Sequence, residues 1–372
     1  MERKRIAVDV MGGDFGSSVA IKGTVKAAKD FNIPVILVGN EEEILSTLKN
    51  LGEEPSSLIE VQHAPDVITM EESPSLAIRG KRKASIRVAF EVVKEGRAFG
   101  VMGPGNTGAL MAAGIAVCGT LPGIQRPAIA SRIPRIDKSP LILLDSGANV
   151  DCNKNQLITF ALMGSVFASV AYENEYKKES PRVALLSNGE ELCKGTEIIR
   201  GAALYLSKKK DLNFIGYVEG RGIMRDIADV VVCDGFVGNV VLKTMEGMVT
   251  FIFDLLKKSV KKSILGSFGL FLAKPVIKSI FKEKLSTPEN ASAPLLGLNY
   301  PAMVLHGSSK EDAFYYGLKS TSDFVEGNIT DMIKEALLEV DFDSNANLEA
   351  NMWKEIENDL RKKRNNKEKE NG

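Results

Sequence analysis

Short apolar runs alternate with amphipathic stretches along most of the chain, and this alternation predicts its secondary structure. Mostly apolar runs of about four to six residues are typical of buried strands, and they cover Ile6–Val10, Val35–Val38, Ile59–Gln62, Ala98–Met102, Ala128–Ile133, Leu141–Leu144, Val183–Leu186, Phe214–Val218, Val230–Cys233 and Ala302–Leu305. Stretches that favour helices lie between them and cover Ser17–Asp30, Glu41–Asn50, Ala109–Val117, Gln156–Val170, Glu197–Leu206 and Asp312–Val325. Strand, helix and strand in succession form a βαβ unit, so we expect an α/β fold on a parallel sheet.

Several of these strands end in a polar turn that contains glycine and comes just before a helix. The turns cover Met11–Asp14, Gly103–Gly108, Asp145–Asp151, Ser187–Glu191 and Asp234–Asn239. Glycine lets a ligand approach the backbone, and the N–H groups of a first helical turn lack partners within the helix, so such turns favour anions. Because the carboxyl ends of parallel strands meet at one edge of a sheet, we expect the turns to form one polar ligand site.

Each of these residues also has an ordinary structural interpretation. In Gly103–Gly108, Asn106 either helps to hold a phosphate or only caps the helix that follows. Lys194 suits an exposed helix start as well as an anion site, Asn239 a helix cap, and His306 a turn. The local sequence leaves both interpretations open.

Composition and charge disfavour several classes of protein. The 372 residues are 44% hydrophobic, and 48 basic side chains balance 48 acidic ones, so no overall field favours nucleic acid. Four scattered cysteines and two histidines give no zinc spacing and no disulfide framework. The N-terminus does not resemble a signal peptide, and no apolar run approaches the ~18 residues that span a bilayer. We therefore expect a soluble, cytoplasmic protein without a metal or cofactor.

A local basic cluster stands out against this neutral total. It comprises Arg79, Lys81, Arg82, Lys83 and Arg87. Such clusters are usually a solvated helix face, and the alternative is a docking surface for an acidic partner or an arm that reaches a phosphorylated ligand.

The stretch Met245–Leu285 differs from the rest of the chain because it combines helical spacing of apolar residues with many lysines. It predicts a protruding helical hairpin whose apolar tip dips into an anionic membrane surface, or else a subunit interface or buried hairpin. The tip residues are Ile264, Leu265, Phe268, Leu270 and Phe271. We expect residues 1–340 to form one α/β catalytic domain that includes this hairpin, and residues 341–372 a helical extension with a disordered charged tail.

The sequence lacks the common motifs for a nucleophilic serine and for nucleotide binding. There is no G-x-S-x-G serine, no G-x-x-x-x-G-K-[ST] loop and no G-x-G-x-x-G at the first strand. Glycine N–H groups, asparagines, Lys194 and His306 remain, and such donors could hold a phosphate and stabilise an oxyanion. Phosphate is itself a nucleophile, so no nucleophilic side chain is needed.

Seven segments together resemble the phosphate acyltransferase family, whose members are acyl-ACP:phosphate acyltransferases of bacterial phospholipid synthesis. The segments are IAVDVMGGDFG, GPGNTGALMAAG, RPAIASRIP, LLDSGANVD, GEELCKGTE, VVVCDGFVGNVVLKTMEG and LHGSS, in order from about Ile6 to about Met332. The resemblance implies a Rossmann-like, three-layer α/β/α fold similar to isocitrate and isopropylmalate dehydrogenases and phosphotransacetylases, usually as a homodimer.

The same resemblance implies the reaction and its partners. A long fatty acyl chain passes from acyl carrier protein to inorganic phosphate, and a membrane acyltransferase then uses the acyl phosphate to acylate glycerol 3-phosphate. Such a product would explain a cytoplasmic protein that touches a membrane peripherally. The acidic recognition helix of a carrier protein would suit either the basic cluster Arg79–Arg87 or the lysines near 257–262.

The resemblance also implies site residues. Lys194 and Asn239 match family positions thought to serve catalysis. The predicted phosphate- and substrate-binding residues are Gly12, Gly13, Asp14, Gly105, Asn106, Thr107, Gly108, Asn149, Asp234 and His306.

Three rival functions fit parts of the pattern. A nicotinamide-dependent hydroxyacid dehydrogenase would need metal-binding aspartates and an arginine cluster, which the sequence does not suggest. A phosphotransacetylase shares the chemistry and differs in using coenzyme A as the acyl carrier. A peripheral membrane adaptor on an inactive α/β scaffold is the third, and the intact motifs at Lys194 and Asn239 disfavour it.

Overall fold

The computed structural model describes residues 3–135, 138–173, 180–191, 193–260 and 292–338, together with positions 269, 272, 273 and 275. Its strands are β1 (Ile6–Asp9), β2 (Val35–Gly39), β3 (Ile59–His63), β4 (Gly100–Pro104), β5 (Ala128–Ile133), β6 (Leu141–Leu144), β7 (Val183–Leu186), β8 (Phe214–Val218), β9 (Val230–Val232), β10 (Ser292–Leu296) and β11 (Ala302–Leu305). Its helices are α1 (Ser17–Phe31), α2 (Glu41–Asn50), α3 (Pro74–Gly80), α4 (Ser85–Lys94), α5 (Thr107–Cys118), α6 (Lys154–Ala171), α7 (Glu197–Leu206), α8 (Gly235–Val260), α9 (Glu311–Glu326) and α10 (Ile329–Leu338).

The strands form one 11-stranded sheet in the order β3-β2-β1-β4-β11-β10-β5-β6-β9-β7-β8. Strands β1, β2, β3, β4 and β11 are parallel to one another, and so are β6, β7, β8 and β9. Between these two halves, β10 is antiparallel to β11 and to β5, and β5 is antiparallel to β6. Three reversals in succession make the two parallel halves run in opposite directions.

The expectation of a parallel sheet is therefore correct within each half and wrong for the sheet as a whole. Each βαβ unit fixes the direction of its own two strands, which explains the parallel halves. An apolar run has no direction in its composition, so nothing in β5 or β6 indicated that they pair antiparallel.

Helices cover both faces of the sheet, which confirms the predicted three-layer α/β/α architecture. On one face a continuous core packs alternate strand residues, such as Ile6 and Val230, against α1, α6, α7, α9 and α10. On the other face, α4 and α5 cover the first half, where Phe90 and Leu110 are buried. α8 lies against the second half through Val241, Leu242 and Met245.

Two elements went unpredicted, and one predicted region has a different form. Strand β10 contains a proline, Pro294, and follows a lysine-rich stretch, so its sequence does not predict a strand. Helix α10 follows α9 after only two residues and was not separated from it. The basic cluster lies on two short helices, α3 and α4, and on the turn between them rather than on one helix.

Helix α8 begins the region predicted to form the hairpin. It is long and apolar enough to cross a membrane by length and composition alone, with a mean hydropathy of 1.3 over a window that is only 6% buried. The predicted tip residues 264, 265, 268, 270 and 271 and the extension 341–372 lie outside the described residues. The hairpin tip, the extension and the domain boundary at 340 therefore stay predictions.

Candidate functional site

The polar turns after β1, β4 and β11 lie side by side, because these strands are parallel neighbours in the sheet. We call Met11–Asp14, Gly105–Gly108 and His306–Ser309 the first group. Gly105 has a φ of +93°, and a Cβ atom there would clash with the carbonyl oxygen of Gly12. The Asp14 N–H donates to the Gly307 carbonyl oxygen at 2.9 Å. The close approach of residue 105 to Gly12 is possible only for glycine, which explains the glycine in this turn.

Asn106 caps α5 and also holds a neighbouring loop. Its Oδ1 accepts from the Ala109 N–H at 3.0 Å, and its Nδ2 donates to the carbonyl oxygens of Thr69 and Glu72 at 3.1 and 3.4 Å. The side chain is thus engaged on both sides. The N–H groups of Thr107 and Gly108, in the first turn of α5, remain the donors best placed for an anion.

His306 offers one ring nitrogen at this edge. Its Nδ1 lies 3.2 Å from the Ser308 backbone N–H, which donates to it, and 2.7 Å from Ser308 Oγ. Because Nδ1 is engaged by Ser308, the ring nitrogen that His306 can offer to a ligand is Nε2. His306 is exposed, and Nε2 is free to meet a ligand.

Asp9, which the sequence analysis did not single out, lies beneath the first group. It is buried at the end of β1, and its Oδ1 accepts from the Met11 N–H at 2.9 Å. Burial raises the pKa of Asp9 to about 6, although hydrogen bonds from Met11, Ser85 and Gly12 favour its charged form. A charged residue inside the apolar run Ile6–Val10 was the available signal.

The turns after β6, β9 and β7 form a second cluster, because these strands are also parallel neighbours. We call Asp145–Asp151, Asp234–Asn239 and Ser187–Thr196 the second group. The buried carboxylate of Asp145 ties the first of these turns together. It accepts from the N–H groups of Ile129, Gly147, Ala148 and Asn149 and from Asn149 Nδ2, at 2.7–3.1 Å. Burial raises the pKa of Asp145, and these donors oppose the shift.

Asn149 belongs to this network and is itself buried. Its Nδ2 donates to the Pro127 carbonyl oxygen at 2.8 Å as well as to Asp145, while its Oδ1 has no hydrogen-bond partner. The side chain therefore shapes the loop, and its predicted part in ligand binding stays a prediction.

The start of α8 packs tightly on the Asp145 loop. Asp234 caps the helix, since its Oδ1 accepts from the Val237 N–H at 2.8 Å. A Cβ atom at Gly238 would clash with the Asp145 carbonyl oxygen, and one at Gly147 would lie 3.6 Å from the Asn239 Cβ. Asn239 is exposed. α8 begins at Gly235, so Asn239 lies within the helix and is not its cap, contrary to the structural interpretation that the sequence offered.

Lys194 lies in the turn between β7 and α7. Its backbone N–H donates to the Glu191 carbonyl oxygen at 2.9 Å, and its side chain crosses Gly189, where a Cβ atom would lie 2.6 Å from Lys194 Cγ. Asn188 Oδ1 accepts from the Gly195 N–H at 2.9 Å and closes the turn. Lys194 is half-buried at the end of the strand next to β9, so the structure places it in the same group as Asn239.

The two groups lie at opposite edges of the sheet, and the expectation of one site along one edge is wrong within a single chain. β4 and β6 run in opposite directions, and from β4 to β6 the sheet passes β11, β10 and β5. Those four strand spacings amount to roughly 19 Å. The sequence pattern could not predict this division of the turns between two edges, because it does not specify the direction of each strand.

Three of the four cysteines are unsuited to nucleophilic chemistry. Burial raises the pKa of Cys118 to about 11 and that of Cys152 to about 12, and it also raises the pKa of Cys233. A thiol with so high a pKa stays protonated near neutral pH. Within the described residues, no cluster of three or more His, Cys, Asp or Glu side chains is placed to hold a metal ion.

The basic cluster is partly neutralised. Lys81 pairs with Glu72 at 2.8 Å, and Arg87 pairs with Glu91 at 2.9 Å. Hydrogen bonds to Lys81 and Thr69 lower the pKa of Glu72, which keeps its charge in that pair. The exposed cations of the cluster are Arg79, Arg82 and Lys83.

Comparison with known proteins connects this geometry to a family. The profile of a family described as a fatty acid synthesis protein matches residues 4–332. A phosphate acyltransferase from Syntrophomonas wolfei is 45% identical over 329 residues, covering 88% of this chain and 97% of the relative. Another, from Dictyoglomus turgidum, is 41% identical over 333 residues, covering 90% of this chain and 97% of the relative.

Two solved structures share the fold. A phosphotransacetylase from Streptococcus pyogenes has a TM-score of 0.57 at 17% identity, covering 87% of this chain and 94% of its own. A branched-chain phosphotransacylase from Enterococcus faecalis has a TM-score of 0.52 at 16% identity, covering 86% of this chain and 99% of its own. These likenesses confirm the predicted phosphotransacetylase-like fold.

Proposed function

Since the chain belongs to the phosphate acyltransferase family, it is an enzyme that transfers an acyl group to phosphate, and we propose that acyl carrier protein is the donor. The acyl group would be a long fatty chain, and the product an acyl phosphate for phospholipid synthesis. The observation that supports the site assignment is that Lys194 and Asn239 lie in the segments that follow the adjacent strands β7 and β9, Lys194 in the turn before α7 and Asn239 in the first turns of α8.

The proposed reaction needs donors for two negative charges. A phosphate oxygen attacks the thioester carbonyl carbon, the carbonyl becomes a tetrahedral oxyanion, and the carbon–sulfur bond then breaks to release the thiolate of the carrier. In the homodimer that we propose, the Thr107 and Gly108 N–H groups and the His306 Nε2–H of one copy would hold the phosphate, because within one chain the two groups lie at opposite edges of the sheet. Lys194 and Asn239 of the other copy would stabilise the oxyanion, because preorganised donors act where charge develops.

The exposed cations Arg79, Arg82 and Lys83 support a macromolecular acidic donor. Carrier proteins present an acidic recognition helix, and a basic rim steers such a partner to the site. Coenzyme A, whose phosphates are also anionic, is the alternative carrier of the acyl group.

A long-chain product also supports contact with a membrane. Acyl phosphate must reach the membrane acyltransferase that acylates glycerol 3-phosphate, so we propose a peripheral association with an anionic membrane surface. The apolar side chains of α8 and the exposed Lys257 and Lys258 at its end support it. We also propose that the enzyme is a homodimer.

The reaction is tested by incubating the purified protein with palmitoyl-carrier protein and phosphate, then trapping acyl phosphate with hydroxylamine. We expect palmitoyl hydroxamate that depends on both substrates. Absence of hydroxamate, with the carrier shown to be acylated, would exclude the proposed donor. Palmitoyl-coenzyme A in place of the carrier tests the phosphotransacetylase alternative, and inactivity with both donors favours the adaptor.

A further inference from the structure

The turn that carries Lys194 is anchored at both of its ends. It runs from Ser187, directly after β7, to Thr196, which caps α7. The Ser187 N–H donates to the Val218 carbonyl oxygen at 2.9 Å, and Thr196 Oγ1 accepts from the Ile199 N–H at 3.3 Å. The turn is therefore joined to the sheet on one side and to the helix on the other.

Two side chains also hold the middle of the turn, at the residue directly after Lys194. The Gly195 N–H donates to Asn188 Oδ1 at 2.9 Å, and the Gly195 carbonyl oxygen accepts from Arg200 Nη1 at 2.6 Å. Asn188 lies at the strand end of the turn, and the half-buried Arg200 lies on α7. We call Asn188, Gly195 and Arg200 the clasp. Its first bond fixes the peptide group that joins Lys194 to Gly195.

Two glycines let the turn adopt this shape. Gly195 has a φ of +81°, and a Cβ atom there would lie 2.9 Å from Ile199 Cγ2. Gly189 is buried, and a Cβ atom there would lie 2.6 Å from Lys194 Cγ and 3.1 Å from Lys194 Cδ. The aliphatic part of Lys194 therefore packs on the backbone of Gly189, and both this packing and the clasp set the direction of the side chain.

This arrangement keeps the Lys194 ammonium group apart from nearby carboxylates. The same stretch of chain carries Glu190, Glu191 and Glu197, and Glu191 Oε2 would lie only 2.8 Å from a Cβ atom at Gly189. Lys194 Nζ nevertheless forms no ion pair with any residue that the structure describes. A looser turn would let the flexible lysine pair with one of these glutamates, so the clasp leaves the cation available to a substrate.

We propose that Asn188 and Arg200 are positioning residues of the reaction, which direct the Lys194 ammonium group towards the developing oxyanion. Both side chains act on the backbone of Gly195, so neither has to touch the substrate. This inference rests on the proposed function, because it assumes that Lys194 stabilises the oxyanion. A donor held in place stabilises the transition state more than one that must first be ordered. Loss of the clasp should therefore lower kcat and leave KM unchanged.

Substitutions of the clasp residues test this. We expect Arg200→Ala to lower kcat for hydroxamate formation about tenfold, with the KM values for phosphate and acyl donor within about twofold of wild type. Arg200→Lys should stay within about threefold of the wild-type kcat, because an ammonium group can still donate to one carbonyl oxygen. Asn188→Ala should lower kcat about threefold, since water can replace part of this exposed bond.

The matched controls remove similar side chains far from both groups. Arg97 donates to Gln62 Oε1 at 2.8 Å, and Asn213 Nδ2 donates to the Ser180 carbonyl oxygen at 2.9 Å. We expect Arg97→Ala and Asn213→Ala to keep the wild-type kcat. Circular dichroism and melting temperature report the folding of every variant. If Arg200→Ala does not fold, Asn188→Ala carries the same test, because its bond is exposed and its loss leaves no buried group unpaired.

A double substitution separates positioning from damage elsewhere. If Arg200 acts only through Lys194, then Lys194→Ala/Arg200→Ala should have the same kcat as Lys194→Ala, within about twofold. Independent effects would instead multiply, and the double variant would be about tenfold slower than Lys194→Ala. That outcome would overturn the proposal.

Two further results would also count against the clasp. One is a wild-type kcat in both Arg200→Ala and Asn188→Ala, and the other is a raised KM with kcat unchanged. An inactive wild type would instead defeat the proposed function. The two failures are therefore distinguishable, because the clasp is judged against a wild type that forms hydroxamate.

Discussion

Two buried carboxylates that the sequence did not indicate as site residues shape the loops of the first and second groups. Asp9 and Asp145 each follow directly on apolar strand residues and bind backbone N–H groups of the turn that comes next. Neither has a cation as hydrogen-bond partner among the described residues, and burial raises the pKa of both. Each therefore holds in place a loop of the candidate site.

Lys194 is the side chain whose loss should reduce activity most directly. We expect Lys194→Ala to lower kcat/KM by more than roughly tenfold, because removal of one preorganised donor has effects of at least this size. Steady-state rates of hydroxamate formation measure the change, with Lys208→Ala, an exposed lysine beyond α7, as the control. Turnover near wild type in Lys194→Ala would remove Lys194 from the mechanism.

Asp229 should make stability depend on pH. It is buried and accepts from Arg135 Nη1 at 3.0 Å and from Arg182 Nε at 3.0 Å, and despite desolvation these and further bonds from Arg182 lower the pKa of Asp229 to about 2. A folded-state pKa below the unfolded value of about 4 stabilises the protein above pH 4, and this contribution disappears as pH falls towards 2.

We therefore expect Asp229→Asn to lower the free energy of unfolding by about 2–3 kcal/mol at pH 7. The difference from wild type should shrink between about pH 4 and pH 2, as measured by urea unfolding. Asp226→Asn, which alters a half-exposed partner of Arg182, is the control and should cost less than about 1 kcal/mol. A difference that is independent of pH would contradict this account.

At the scale of elements, the contact between α8 and the Asp145 loop depends on one small residue. A side chain at Gly238 would meet the Asp145 carbonyl oxygen, which is backbone and cannot rotate away. We expect Gly238→Ala to destabilise the protein by about 1–3 kcal/mol and to lower kcat with it, since Asn239 would move. Gly220→Ala, where no atom lies within 4 Å of a Cβ, is the control. Equal melting temperatures and rates for the two variants would contradict the prediction.

The elements also show how far the sequence could be interpreted. Apolar runs such as Leu141–Leu144 located strands well, because burial on both faces leaves a composition signal. The direction and order of the strands in the sheet could not be predicted, because the pairing between β5, β6 and β10 depends on contacts between residues that are distant in the sequence. Local chemistry located the glycine turns, and their role as ligand loops stays a prediction. The division of these turns between two edges could not be predicted, since it follows from strand direction alone.

At the scale of the whole molecule, the acidic and basic side chains balance, so only local charged surfaces can steer an acidic partner towards the protein. Arg82 and Lys83 are exposed between α3 and α4, on the side of the first group, whereas Lys81 and Arg87 are paired. We expect Arg82→Glu/Lys83→Glu to raise the KM for acyl carrier protein about tenfold at low salt with kcat unchanged, and the effect to fade as salt screens the charges.

The matched control is Lys208→Glu/Lys210→Glu, which makes the same charge change at exposed lysines after α7. An equal rise in KM for both variants would mean that only net charge matters. An unchanged KM in Arg82→Glu/Lys83→Glu would place the carrier on another surface.

The three strand reversals in the centre of the sheet also bear on how the chain folds during synthesis. Strands β1–β4 and β6–β9 leave the ribosome as two parallel sets, with β5 antiparallel to β6, but β4 and β5 are joined only through β10 and β11, which begin at Ser292 and Ala302. Closing such long loops is slow, so we expect pulse-labelled hydrogen exchange to protect β10 and β11 last. Until then the edges of β4 and β5 would stay open to other chains, and we expect the incomplete chain to be prone to aggregation.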